Sequence, residues 1–147
     1  PTVWDADALT LLAAHPLRLN ENSVLTPHPG EAARLLGAPI NTILDHPLES
    51  AEAISQRYNC RVILKNAVSV IAENGKARAI NTVGTPALAK GGSGDGLAGV
   101  LAAFLAQRLP DPMAAACLIQ GVAAKRAEKK HGARGLLTGE WLDEMGI

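Results

Sequence analysis

The chain has 147 residues, enough for one domain with a real core, and 48% of them are hydrophobic, which excludes a disordered chain. Lys and Arg number 14, as do Asp and Glu, and no basic cluster is interleaved with aromatics, so no nucleic-acid partner is expected. The longest nearly uncharged runs, Leu97 to Gln107 and Met113 to Ala124, fall short of the roughly 20 apolar residues that cross a bilayer, so no membrane role is expected either.

In chain order, strand and helix signals alternate. Thr2 to Trp4 reads as a short strand, followed by Asp5-Ala6-Asp7 and a helix carrying Leu9, Leu11 and Leu12. His15 to Asn22 reads as a loop, and Val24-Leu25 as a brief buried strand that ends at Thr26-Pro27-His28-Pro29-Gly30-Glu31. Pro29 suits a first helical position and Gly37 a helix end, with Ala32, Ala33, Leu35 and Leu36 on the buried side. A further helix is predicted from Pro47 to Tyr58, then an interior strand from Arg61 to Leu64 with the β-branched pair Val62-Ile63. Ala67 to Ala72 and Lys76 to Ile80 flank Glu73-Asn74-Gly75, and Asn-Gly is a strong hairpin signal. Asn81 to Gly92 reads as a loop. Asp111 is placed to cap a helix with Pro112 at its first position; this helix is apolar through Ala124 and charged beyond it, a solvated end whose bases complement the helix dipole. A last short helix is expected over Leu142 to Met145. Cys60 and Cys117 form no metal or redox motif and read as reduced thiols, the pattern of a cytoplasmic protein; no signal peptide is visible. His15, His46 and His131 show no metal spacing and read as surface residues.

The stretch Ala89 to Gly99, AKGGSGDGLAG, carries the most chemistry. From Leu97 the apolar residues Leu97, Val100, Leu101, Phe104 and Leu105 form one stripe of a helix, which puts Asp95 in or just before its first turn. Amides there lack intrahelical partners and, with the positive end of the dipole, form a site for an anion such as a phosphate. Asp95 has two readings at this position: a helix cap, or a base for a hydroxyl attacking a phosphoryl group beside those amides. Strands alternating with helices predict an α/β fold with a mainly parallel sheet, and ligands in such sheets bind outside the carboxyl ends of the strands. That rule gathers His28, Lys65 and Asp95 toward one edge.

Three segments in this order, VLTPHPGEAARLLG (Val24 to Gly37), VILKNAVSVIAENG (Val62 to Gly75) and INTVGTPALAKGGSGDGLAGVLAAFLAQ (Ile80 to Gln107), together resemble the ADP/ATP-dependent NAD(P)H-hydrate dehydratases of the ribokinase-like superfamily. WDADALTLLA (Trp4 to Ala13) and GLLTGEWLDEM (Gly135 to Met145) are similar to the same family, so the resemblance spans nearly the whole chain. It implies a ribokinase-like layered fold, a mainly parallel sheet flanked by helices with an antiparallel hairpin. It also implies that residues 1–147, read as a single domain, form the C-terminal part of a larger one, whose preceding part supplies the first strands and a second glycine-rich loop. The strand Thr2 to Trp4 is then expected at an exposed sheet edge.

The activity implied is repair of hydrated NADH or NADPH: ADP or ATP phosphorylates the ring hydroxyl, and elimination of phosphate restores the double bond. By resemblance, Asp95 contacts the hydrated ring and acts as base, and His28 contacts the dinucleotide. Lys65, Asn66, Ala67, Val68 and Ser69 belong to the segment that contacts the nucleotide donor, and Asn81 and Gly84 line the nucleotide side. The Gly92-Ser93-Gly94 amides hold the transferring phosphoryl group. Mg²⁺ is expected to accompany the donor, although no carboxylate cage is visible. Relatives commonly self-associate, so a homo-oligomer is an expectation on the same footing. Structural readings stand beside these roles: His28 as a cap for the helix at Pro29, Glu31 as the third-position carboxylate of that helix start, Lys65 as a solvent-reaching strand end, Asp5 and Asp7 as turn or cap residues. Two departures from the family pattern are Asn66, where glycine is usual, and Gly96, where an aliphatic residue follows the aspartate and whose absence would loosen the turn. The competing readings are a ribokinase-like kinase for a vitamin precursor alcohol, which would not need Thr-Pro-His-Pro-Gly-Glu, and a non-catalytic nucleotide-binding fragment.

Overall fold

The computed structural model describes residues 1–132, 137 and 139–146, and its elements divide into two compact units, 1–80 and 81–147. The expected α/β alternation is present. In the first unit the order is β1 (Thr2–Trp4), α1 (Asp7–Ala14), β2 (Ser23–Leu25), α2 (Pro29–Leu36), α3 (Ile40–Asp45), α4 (Pro47–Tyr58), β3 (Arg61–Leu64), β4 (Ser69–Glu73) and β5 (Lys76–Asn81). The five strands form one sheet in sequence order. β1, β2 and β3 run parallel, with Val3 opposite Val24 and Leu25 opposite Val62, while β4 turns back antiparallel with Ile71 opposite Ile63.

Period-2 alternation explains how the strands are buried. Leu25, Val62, Leu64, Val70 and Ala72 share one core with Leu9 and Leu12 of α1, Ala32 and Leu35 of α2, Ile43 of α3, and Ala51, Ile54 and Tyr58 of α4. The alternate residues Val24, Ile63 and Ile71 are buried as well, the pattern of strands covered on both faces. β1 is hydrogen-bonded on one side only, the edge position expected for it. The Asn74-Gly75 turn has both residues at positive φ, 54° and 70°, the backbone a tight hairpin demands.

Two details differ from the sequence reading here. α3 was not predicted; its β-branched INTILD segment has poor helix propensity, and it forms because Ile43 seats in the core. Asn66 does not use the left-handed backbone, since it is absent from the positive-φ residues; its side chain instead accepts a hydrogen bond from the Ala67 amide at 2.9 Å.

The second unit holds a 3₁₀ turn (Pro86–Leu88), α5 (Ser93–Ala106), α6 (Pro112–His131) and α7 (Glu140–Asp143). The stripe Leu97, Val100, Leu101, Phe104 and Leu105 is buried along its whole length, as its spacing predicts. The segment 81–92 is therefore not all loop, and the last helix begins and ends two residues before the expected Leu142 to Met145. Asp111 caps α6, accepting from the Ala114 amide at 3.3 Å. An ideal Cβ at Gly121 would stand 2.1 Å from the Val83 carbonyl oxygen, so only glycine lets the 81–85 segment cross α6 this closely. Among the described residues no helix is long and apolar enough to cross a membrane. Cys60 and Cys117 are free and buried, and burial pushes both thiols up to about 12.

Candidate functional site

The carboxyl ends of the three parallel strands bring two of the expected segments to one edge of the sheet. The chain leaves β2 through Thr26-Pro27-His28 and leaves β3 at Lys65, whose amide donates to the Pro27 carbonyl at 2.8 Å. His28 is the N-cap of α2. Its Nδ1 accepts from the amides of Gly30 at 3.0 Å and Glu31 at 3.3 Å, while Glu31 Oε2 accepts from the His28 amide at 2.8 Å, a reciprocal capping box. The cap reading of both residues is thus realised. It leaves a chemical remainder: with Nδ1 accepting two hydrogen bonds, the neutral ring carries its hydrogen on Nε2. That nitrogen lies 3.6 Å from Glu31 Oε1 on a side chain 54% exposed, so its N–H is available to a ligand.

Lys65 does not reach into solvent. Its Nζ meets Asp5 Oδ1 at 2.9 Å, with the side chains only 20% and 14% exposed. The partners stand 60 positions apart at the ends of β1 and β3, so no local signal could have joined them. Asp5 is therefore more than a turn residue, although its carbonyl also accepts from the Ala8 amide at 3.1 Å. Ala6, between Asp5 and α1, holds φ 48° and ψ −118°, a backbone that costs a side-chain-bearing residue energy. An ammonium has three N–H donors, so Lys65 retains two beyond Asp5. The turn after it, Asn66-Ala67-Val68, leads into β4 at Ser69, and Val68 is exposed.

In the second unit, Gly92 is the N-cap of α5 at φ 87°, and no side chain caps the helix. The glycine permits the left-handed entry and leaves the first turn uncovered. The Ser93 amide donates to the Lys90 carbonyl at 3.3 Å, and the Gly96 amide to Gly92 at 3.1 Å. No acceptor among the described residues takes the Gly94 or Asp95 amide, and of the Gly92-Ser93-Gly94 set expected from the sequence only the Ser93 amide is taken up within the turn. Asp95, third residue of the helix, is exposed, and its carboxylate has no hydrogen-bond partner among the described residues, so the cap reading of Asp95 is not realised.

The turn is held from both sides by residues that sequence reasoning missed. Gln120 of α6 donates from Nε2 to the Ser93 carbonyl at 2.8 Å in a buried contact. Trp141 of α7 packs on Gly96, filling the space a side chain would take, so the glycine does not loosen the turn. Asn81 donates from Nδ2 to the Val83 carbonyl at 2.9 Å, which braces the segment carrying Gly84, where a Cβ would meet nothing within 4 Å. Among the described residues no three His, Cys, Asp or Glu side chains cluster to hold a metal ion. The donor set does not fit a protein-caged Mg²⁺, an ion that nucleotide phosphates commonly help to hold.

An exposed carboxylate beside free helix-mouth amides can accept a proton while the amides bind an anion. A family model described as NAD(P)H-hydrate dehydratase matches residues 1–145. The bifunctional NAD(P)H-hydrate repair enzyme Nnr of Escherichia coli is 43% identical over 139 residues, which cover 93% of this chain and 27% of that protein. The crystal structure of ADP/ATP-dependent NAD(P)H-hydrate dehydratase from Bacillus subtilis, co-crystallised with ATP and Mg²⁺, superposes with a TM-score of 0.85 at 33% identity over 97% of this chain and 52% of that one. A ribokinase-like superfamily protein from Enterococcus faecalis superposes with a TM-score of 0.84 at 28% identity, covering 97% of this chain and 50% of its own. The chain thus spans about half the length of the solved structures and less than a third of the bifunctional enzyme.

Proposed function

This chain belongs to the NAD(P)H-hydrate dehydratase family, and from that membership we propose that it carries the base and the phosphoryl-binding turn of a nucleotide-dependent repair of hydrated NADH or NADPH. One observation carries the reading: Asp95 is an exposed carboxylate with no partner among the described residues, in the first turn of a helix that no side chain caps. Hydroxide is a poor leaving group, and phosphate is a good one. Asp95 takes the proton of the ring hydroxyl as its oxygen attacks the terminal phosphorus of ADP or ATP; the bond from that phosphorus to the nucleotide breaks, and AMP or ADP leaves. Phosphate then departs together with the proton of the neighbouring ring carbon, and the double bond returns. The amides of Gly92, Gly94 and Asp95, with the positive end of the α5 dipole, stabilise the charge that builds on the transferring group. Gly92 and Ser93 shape this turn.

His28 holds the hydrated dinucleotide through the Nε2 hydrogen that its capping role frees. Lys65, with Asp5 fixing its ammonium and the turn Asn66-Ala67-Val68-Ser69 beside it, contacts the nucleotide donor. Asn81 and Gly84 line the nucleotide side.

The test uses the full-length protein with hydrated NADH and ADP or ATP, following the return of reduced-nicotinamide absorbance. Asp95→Asn is expected to lower turnover about a hundredfold or more, the scale of a lost general base, while lowering the thermal midpoint only slightly, by the loss of one charge at the positive end of the α5 dipole, since the carboxylate has no hydrogen-bond partner among the described residues. No recovery with either donor overturns the reading, and phosphorylation of a vitamin precursor alcohol would replace it.

A further inference from the structure

Gly96 follows Asp95 in the first turn of α5. A Cβ built on it would lie 2.4 Å from Trp141 Cζ2, 3.2 Å from Cη2 and 3.3 Å from Cε2. No side chain fits there unless the indole moves. The indole is 0% exposed, and its Nε1 has no hydrogen-bond partner among the described residues. A buried donor left unpaired is costly, so this ring is kept in place by what it fills and not by what it bonds. On the other side of the same turn, Gln120 holds the Ser93 carbonyl. Ser93 is buried and Gly96 half-buried, whereas Asp95 between them is exposed. The turn is gripped at both its ends, and the carboxylate is the part left outside.

We propose that Trp141 is a positioning residue for Asp95: its benzo ring, occupying the place of a side chain at position 96, fixes the rotation of the first turn of α5 and so the direction of the carboxylate and of the free amides. This rests on the reading of Asp95 as the base. Local propensity and packing make opposite forecasts for Gly96→Ala. Alanine is the better helix former, so a turn free of the indole would gain stability from it, whereas a turn pressed on Trp141 must rotate or push the ring away. Trp141→Phe removes the part of the indole that a Cβ would strike and makes room for it.

The experiment compares wild type, Gly96→Ala, Trp141→Phe and Gly96→Ala/Trp141→Phe in the full-length protein. It reads kcat and KM for hydrated NADH with ADP, together with thermal midpoints. Gly96→Ala is expected to lower kcat about tenfold or more with little change in KM, as a misaimed catalytic group does. Adding Trp141→Phe is expected to return kcat to within about threefold of the Trp141→Phe protein, the coupling that contacting residues show. If Gly96→Ala shifts only the thermal midpoint, or if the double variant is no faster than Gly96→Ala, Trp141 is structural and the proposal is wrong. A wild type that repairs no hydrated dinucleotide overturns the function and the proposal with it; an active wild type with uncoupled variants overturns the proposal alone.

Discussion

His28 is both a helix cap and the residue proposed to hold the dinucleotide, and two substitutions separate the roles. His28→Ala removes the Nδ1 acceptor from the Gly30 and Glu31 amides but leaves the reverse bond from the His28 amide to Glu31. The side chain is 54% exposed, so water reaches the abandoned amides and the loss is that of an N-cap, about 1 kcal/mol. That loss lowers the thermal midpoint by about 2–4 °C in a protein of 150–250 residues and by less in a longer chain. His28→Asn keeps an acceptor of the preferred capping type and is expected to recover most of that loss. It cannot recover the Nε2 hydrogen. Calorimetry and steady-state kinetics on the full-length protein should therefore part company: stability falls in His28→Ala alone, while KM for hydrated NADH rises about tenfold or more in both variants, the worth of one hydrogen bond in a ligand site. If His28→Asn matches wild type in KM, the histidine is a cap and nothing else, and its ligand role is refuted.

Two further outcomes follow from packing and burial. Gly121→Ala places a methyl 2.1 Å from a backbone oxygen, which cannot swing aside, so chemical denaturation should show a loss of about 2 kcal/mol or more. Burial pushes the thiols of Cys60 and Cys117 from 9.0 up to about 12, so at mildly alkaline pH the native protein holds far less thiolate than the unfolded chain. Iodoacetamide at pH 8.5 is then expected to label neither cysteine until denaturant is added, as read by intact mass. Rapid labelling of the native protein would contradict the burial of both thiols.

What could be read from the chain is what is written within a few neighbouring positions. Pro29 and Gly37 bound α2, Asn74-Gly75 turns the hairpin, and Asp111-Pro112 opens α6, because caps and tight turns depend on backbone geometry that one or two residues set. The five-residue stripe from Leu97 places Asp95 in a first turn for the same reason. α3 escaped because its residues favour extended backbone locally and become helical only when Ile43 is offered a core.

The sequence by itself therefore determined the order of the strands and of the helices other than α3, the family pattern, and the position of one aspartate at a helix mouth, since each is encoded by spacing along the chain. Only the tertiary structure decided that the Asp95 carboxylate is left without a partner among the described residues, that Asp5 holds Lys65, and that Gln120 and Trp141 grip the turn between them. Those contacts join residues 27 to 60 positions apart, or from separate helices. Their partners are chosen by which surfaces the packed elements bring together, and no local rule of residue spacing contains that choice.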